Sequence, residues 1–203
     1  MKHGNKFYRR FYRAARAAIG IFYRLRVIGK ENIPDGAAIV CANHSNMVDP
    51  FIIAFAFGID CQVHVIAKVE LFRIPVVSTV LKKLGMISVD RGILDSSAVK
   101  NTFLYLKNGE KIVIFPEGTR VPTDDAIAVK AGAVKTAERA GAPLLPLFLP
   151  RKKPLFRRVA VVIGEPYYIE KQAQKRTMND YALLSDDLME RIKALNPELG
   201  TEN

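Results

Sequence analysis

Six residues after the start of an apolar run at 37–42, the chain reads Asn43-His44-Ser45-Asn46-Met47-Val48-Asp49-Pro50. A histidine delivered by the end of a buried strand stands where ligand sites of layered α/β proteins form. Imidazole is the side chain whose ordinary pKa suits proton abstraction near neutrality, for example from an alcohol. A carboxylate bound to its other ring nitrogen fixes the tautomer and stabilises the imidazolium. A tight turn between His44 and Asp49 would bring the two together. The spacing has a second reading, because Asp49 before Pro50 also looks like a helix N-cap followed by proline at the first helical position.

Three further stretches follow. Phe115-Pro116-Glu117-Gly118-Thr119-Arg120 comes directly after the strand-like run 111–115. Proline stops the strand, glycine permits an unusual backbone angle, and Thr119 and Arg120 supply donors for an anion such as phosphate. An ordinary turn closed by a Glu117–Arg120 pair fits the same residues. Val89-Asp90-Arg91-Gly92 ends another strand-like run, with Arg91 as a second phosphate donor or as the partner of Asp90 in a surface ion pair. Ala142-Pro143-Leu144-Leu145-Pro146 enters a buried strand and offers only an apolar wall or core. His64, between Val63 and Val65, reads as a structural histidine in a strand. No histidine, cysteine or carboxylate group has metal-ligand spacing, and neither a glycine-rich nucleotide loop nor a Gly-x-Ser-x-Gly elbow occurs.

The elements that must hold these residues alternate. Apolar runs at 37–42, 63–67, 86–89, 111–115, 144–149 and 159–163 have strand length, and helical periodicity appears at 50–57, 96–108, 129–140 and 181–194. Strands alternating with helices predict an α/β fold, a mixed, mostly parallel sheet flanked by helices. With 203 residues, about half of them hydrophobic, the chain fits one domain with an appended anchor. Cys41 and Cys61 are too few for a disulfide framework and read as reduced thiols in a reducing compartment.

The net charge of +11 is concentrated at one end. Residues 1–30 hold nine Lys and Arg and no acid, while the remainder is almost balanced, with 22 basic against 20 acidic side chains. On an ideal helix over 5–25, Phe7, Phe11, Ala14, Ala18, Ile21, Phe22 and Leu25 share one arc, Tyr8, Tyr12, Ile19 and Tyr23 lie along its rim, and Lys6, Arg9, Arg10, Arg13, Arg16 and Arg24 oppose them. Such a helix suits the interface of an anionic bilayer. It equally suits packing on the chain's own core, and both uses can coexist. The arginines prevent it from spanning a bilayer. Nucleic acid is excluded as a partner, because it would not need aromatics on the face away from the charge. The expected organisation is a basic amphipathic membrane-surface helix over 1–26, with Phe7, Arg9, Arg10, Phe11, Arg13, Arg16 and Phe22 meeting the membrane, and a catalytic domain over 27–203. The expected location is the cell membrane, peripheral or monotopic on its cytoplasmic face.

The four pieces in this order, with Ala67-Lys68-Val69-Glu70-Leu71, Pro75, Lys130 and Gly132 between and after them, resemble the glycerolipid acyltransferases, the 1-acyl-glycerol-3-phosphate acyltransferases and their relatives. The resemblance covers roughly residues 27–165. It implies His44 as general base with Asp49 orienting it. It implies Arg91, Glu117, Gly118, Thr119 and Arg120 around the phosphate of lysophosphatidic acid, and Pro146 on the acyl-donor side. It also implies acyl-CoA or acyl carrier protein as co-substrate, with no bound cofactor, metal or covalent acyl-enzyme. Two positions depart from the family pattern: Ser78, where glycine is expected, and Val121-Pro122-Thr123-Asp124-Asp125, where a serine and a basic residue are commoner. Glycerol 3-phosphate or another lysolipid is the alternative acceptor, and a non-catalytic lipid-binding module the alternative function.

Overall fold

The computed structural model describes residues 5–90, 95–123, 129–170, 172 and 174–197. In chain order the elements are α1 (Lys6–Gly20), β1 (Arg24–Ile28), β2 (Ala38–Ala42), α2 (Asp49–Phe57), β3 (Val63–Lys68), α3 (Pro75–Lys83), β4 (Ile87–Val89), α4 (Ser96–Lys107), β5 (Lys111–Ile114), α5 (Gly132–Ala140), β6 (Leu144–Phe148), β7 (Arg158–Ile163) and α6 (Met178–Ala194). The seven strands form one sheet in the order β1-β7-β6-β2-β5-β3-β4. All neighbours are parallel except β6 and β7. The expected fold class is the observed one.

Helices cover both faces, which is why β2 and β6 are apolar and buried at every position. Ala38, Val40 and Ala42 of β2 face one cluster with Ile52, Ile53 and Ala56 of α2. Ile39 and Cys41 face the other, with Ala98 of α4, Val134 of α5 and Leu188 of α6. The chain leaves β2 over one face and returns from β5 to β6 over the other. The C-terminal ends of β2 and β5, side by side, therefore form the crevice where the connections diverge.

The helix expected over 5–25 is shorter. It stops at Gly20, and Arg24–Ile28 form an edge strand paired in parallel with β7. Arg24 and Leu25, which fit the helical pattern by position, belong instead to a run whose exposure alternates as a strand does. Within α1 the most buried position is Tyr8, on the rim of the predicted arc. Tyr12 meets Phe55 edge-on at 5.4 Å and Phe11 meets Phe51 at 6.3 Å, both on α2. Phe7 and Phe11 are half-buried, Arg9 pairs with Asp60, and Arg10, Arg13 and Arg16 are exposed. Internal packing thus occupies one side of the apolar arc and leaves Ala14, Ala18, Ile21 and Phe22 outside. Among the described residues no helix is long and apolar enough to cross a membrane.

Candidate functional site

β2 ends at Ala42, and Asn43 locks the chain as it leaves the sheet. Its buried amide donates to Leu149 O at 2.7 Å and accepts from Leu149 N at 2.8 Å, tying the exit of β2 to that of β6. His44 comes next, its ring stacked on Phe115 with centroids 4.0 Å apart. His44 Nδ1 lies 2.9 Å from Asp49 Oδ2. The same oxygen accepts the backbone N–H groups of Ser45 and Asn46, both at 2.8 Å. Two backbone donors on this oxygen and an ammonium beside the other favour the carboxylate, which can only accept; the proton of the pair is therefore assigned to His44 Nδ1, which leaves the Nε2 lone pair for a substrate. Asp49 is not the N-cap; Val48 holds that position without a side-chain cap bond, and Asp49 folds back over its own turn.

Asp49 is fully buried, and burial alone pushes its carboxyl pKa up. The hydrogen bond from His44, the Lys153 ammonium and the amide of Asn46 outweigh that, and hold it below its ordinary value of 3.8. Lys153 Nζ lies 2.8 Å from Asp49 Oδ1, with both side chains inaccessible to solvent, and donates to Ser45 Oγ at 2.9 Å. Oδ1 is buried and makes no hydrogen bond of its own, so the Lys153 charge is what balances it, and removing either partner would strand the other in the core.

The second loop lies beside the first because β2 and β5 are parallel neighbours with the same end up. Val121 N donates to His44 O at 2.7 Å and stitches the two loops together. Gly118 has φ +66, left-handed backbone that favours glycine, and a Cβ there would also push on the Lys130 side chain, 2.7 Å away. Thr119 and Arg120 are exposed and line a groove of about 230 Å³ with His44, Met47, Lys68 and Leu71. Glu117 does not face that groove. It is buried, its Oε2 accepts His44 N at 2.9 Å and its Oε1 takes Arg151 Nη2 at 2.7 Å. The expected contact of Glu117 with a phosphate is replaced by a frame that holds the histidine's backbone; the expected Glu117–Arg120 pair is replaced by Glu117–Arg151.

Pro146 is not brought to the groove either. It lies buried in the middle of β6 with its ring against Gly164, on the face covered by the end of α6. Arg91 lies outside the described residues; β4, which leads to it, is parallel to β3 and so ends on the same side as His44. His64 is structural, as its sequence context predicts. It is the second residue of β3, at the opposite end of the sheet, stacks on Tyr105, and engages Gly85 O at 2.8 Å and Glu110 at 2.5 Å. A cavity of about 500 Å³ opens there, but both nitrogens of its histidine are occupied.

Sequence reasoning missed Arg151 and Lys153. The signal was a basic triplet, Arg151-Lys152-Lys153, immediately after a strand buried at every position. It was obscured because the charge outside the first 30 residues balances in sum.

The pattern described as Acyltransferase matches residues 24–149, a span that contains the His44–Asp49 turn and the loop after β5. The sequence is 35% identical over 182 residues to a 1-acyl-sn-glycerol-3-phosphate acyltransferase of Bacillus subtilis, covering 86% of this chain and 89% of that protein. It is 36% identical over 129 residues to the protein of the same description from Borreliella burgdorferi, covering 62% of this chain and 51% of the relative. In three dimensions the fold is similar to the crystal structure of the 1-acyl-sn-glycerophosphate (LPA) acyltransferase PlsC from Thermotoga maritima. The TM-score is 0.67 at 26% identity, over 98% of this chain and 80% of that one. A family pattern spanning more than half of the sequence, together with a relative aligned along most of both chains, means that the protein is an enzyme of the acyltransferase family.

Proposed function

We propose that this enzyme transfers a fatty acyl group from acyl-CoA or acyl carrier protein to the free hydroxyl of 1-acyl-glycerol 3-phosphate, giving phosphatidic acid at a membrane surface. The observation that carries the reading is His44 Nδ1 held 2.9 Å from Asp49 Oδ2 at the edge of a groove that Arg120 lines. His44 Nε2 takes the hydroxyl proton as the oxygen attacks the thioester carbon. Asp49, held as an anion by Lys153 and two amides, balances the imidazolium that forms. The imidazolium then returns the proton to the leaving thiolate, so acid–base catalysis needs no further residue.

Thr119 and Arg120 are assigned to the acceptor phosphate, with Gly118 shaping their turn and Glu117 fixing the frame through His44 N and Arg151. Arg91 completes the phosphate site in this reading. Beside the groove and sharing Phe115 and Ile66 with it, an apolar cavity of about 290 Å³ runs between α4 and α5, past Val99, Thr102 and Phe103. It is the space we assign to an acyl chain. Pro146 does not line it.

Purified protein offered a panel of lyso-acceptors with each thioester donor, and read by mass spectrometry, is expected to form phosphatidic acid in preference to every other product. Preference for an acceptor without a phosphomonoester would refute the assignment. Arg120→Ala is expected to raise the apparent KM for the acceptor about 10-fold or more with a smaller change in kcat, because a charge-assisted contact to phosphate contributes about 1.5–3 kcal/mol. An unchanged KM would remove Arg120 from the phosphate site.

A further inference from the structure

The loop from β6 to β7 does two things at once. β6 runs toward the His44 end of the sheet and β7 runs back from it, so the intervening residues lie at the catalytic end. The inward side chains of that loop are Arg151, bound to Glu117, and Lys153, bound to Asp49. Its tip points the other way, with Leu155 53% and Phe156 62% exposed.

Phe156 is the one non-glycine among the described residues with positive φ, at 63°. A bulky side chain is a poor choice for left-handed backbone, and such outliers cluster where function requires them. The turn is held in that form: Phe156 N donates to Phe22 O at 2.7 Å, and the two rings lie 5.6 Å apart. Phe22 and its neighbour Ile21, at the end of α1, are 41% and 66% exposed. Two distant parts of the chain thus meet at Phe22 and Phe156, each beside a further exposed apolar residue, Ile21 and Leu155, and neither Leu155 nor Phe156 lines any cavity described above.

The charge around the tip is of one sign. Arg24, Lys152, Arg157 and Arg158 are exposed, and residues 148–158 and 20–30 contain no acid. We infer that this apolar tip with its basic collar is a docking surface for an anionic lipid bilayer. Ile21, Phe22, Leu155 and Phe156 enter the boundary between headgroups and acyl chains, and the collar meets the lipid phosphates. Exposed apolar side chains flanked only by cations suit an anionic bilayer, whose headgroup boundary takes both at once. Docked this way, the groove beside His44 faces the leaflet, and the loop that touches lipid is the one that holds the anchors of the catalytic pair. The inference rests on the reading that the substrate is a membrane amphiphile, but its test needs no turnover.

The chain contains no tryptophan. In the full-length Phe156→Trp variant the single indole is expected to shift to the blue on phosphatidylglycerol vesicles, much less on phosphatidylcholine, and to be quenched by lipids brominated in their acyl chains. Leu183→Trp, on the 62% exposed position of α6, is expected to stay water-like. Leu155→Ser/Phe156→Asn, which places a residue tolerant of positive φ at the turn, is expected to weaken sedimentation with phosphatidylglycerol vesicles at least 10-fold. Water-like emission at 156 on anionic vesicles, or undiminished sedimentation of the double variant, would overturn the proposal. So would a blue shift produced by an acidic carrier protein and not by lipid. If no acceptor is acylated while the indole still enters the bilayer, the acyl-transfer reading fails and the docking surface stands.

Discussion

Replacing His44 with alanine is expected to lower kcat for acyl transfer by about 10²–10⁴-fold, the contribution of a positioned general base, with little change in acceptor KM and in thermal stability. The ring is replaceable as a packing element but not as a base. It stacks on Phe115 with a 16% exposed side chain, and its removal leaves Asp49 bound to Lys153 and to the amides of Ser45 and Asn46. No buried charge is therefore stranded, and the fold should hold. His44→Gln separates shape from chemistry. Its amide can still donate to Asp49, yet it has no basic nitrogen, so it should be as inactive as the alanine variant. Steady-state kinetics with circular dichroism of both variants checks the pair of expectations. Turnover like that of the unmodified enzyme in either would place the base elsewhere.

Asp49→Asn is expected to lose activity by about 10³–10⁴-fold and, unlike the histidine variants, to lose stability as well. An asparagine amide can donate to His44 Nδ1, which favours the tautomer protonated on Nε2 and removes the basic lone pair. It also leaves the fully buried Lys153 ammonium without its counter-charge. Breaking a buried pair from one side costs about 3–5 kcal/mol. Asp49→Asn/Lys153→Met discharges both partners and should recover much of the stability while remaining inactive. Equal urea midpoints for the single and double variants would show that the pair is not coupled.

The pH dependence follows from the direction of the Asp49 shift. Its folded pKa lies below the ordinary 3.8, so its stabilising contribution is complete above that value and is lost as pH falls through the lower folded one. The stability gap between the enzyme and Asp49→Asn should therefore be widest near neutrality and narrow in acid below about pH 4. A gap of constant size from pH 7 to pH 3 would contradict the assigned ionisation.

Much of the catalytic end was legible in the residues themselves. Histidine and aspartate five apart after an apolar run, and Phe-Pro-Glu-Gly-Thr-Arg after another, were local patterns. Local patterns survive folding because backbone rules act within a few residues. The proline-stopped strand, the glycine with positive φ and the tight turn joining His44 to Asp49 all formed as their residue types require. The alternation of strand and helix was equally readable, since burial of a parallel sheet on both faces demands continuous apolar runs.

What the residues could not announce were relations across the chain. Glu117 and Arg120 are three apart in one loop, and their charges suggested a mutual pair. Tertiary structure gave Glu117 to Arg151, 34 positions away, because Glu117 is buried and requires a buried counter-charge, while Arg120 is exposed. Pro146 belonged to a motif by order but to the core by geometry, since even positions of β6 face α6. Lys153 entered the catalytic cluster only because β6 ends beside β2, 104 positions after the aspartate it serves. The sequence alone determined which groups could move a proton and where the backbone would turn. The packing of parallel strands decided which distant charges would neutralise them, because a buried ion is stable only beside a partner that the whole fold must bring to it.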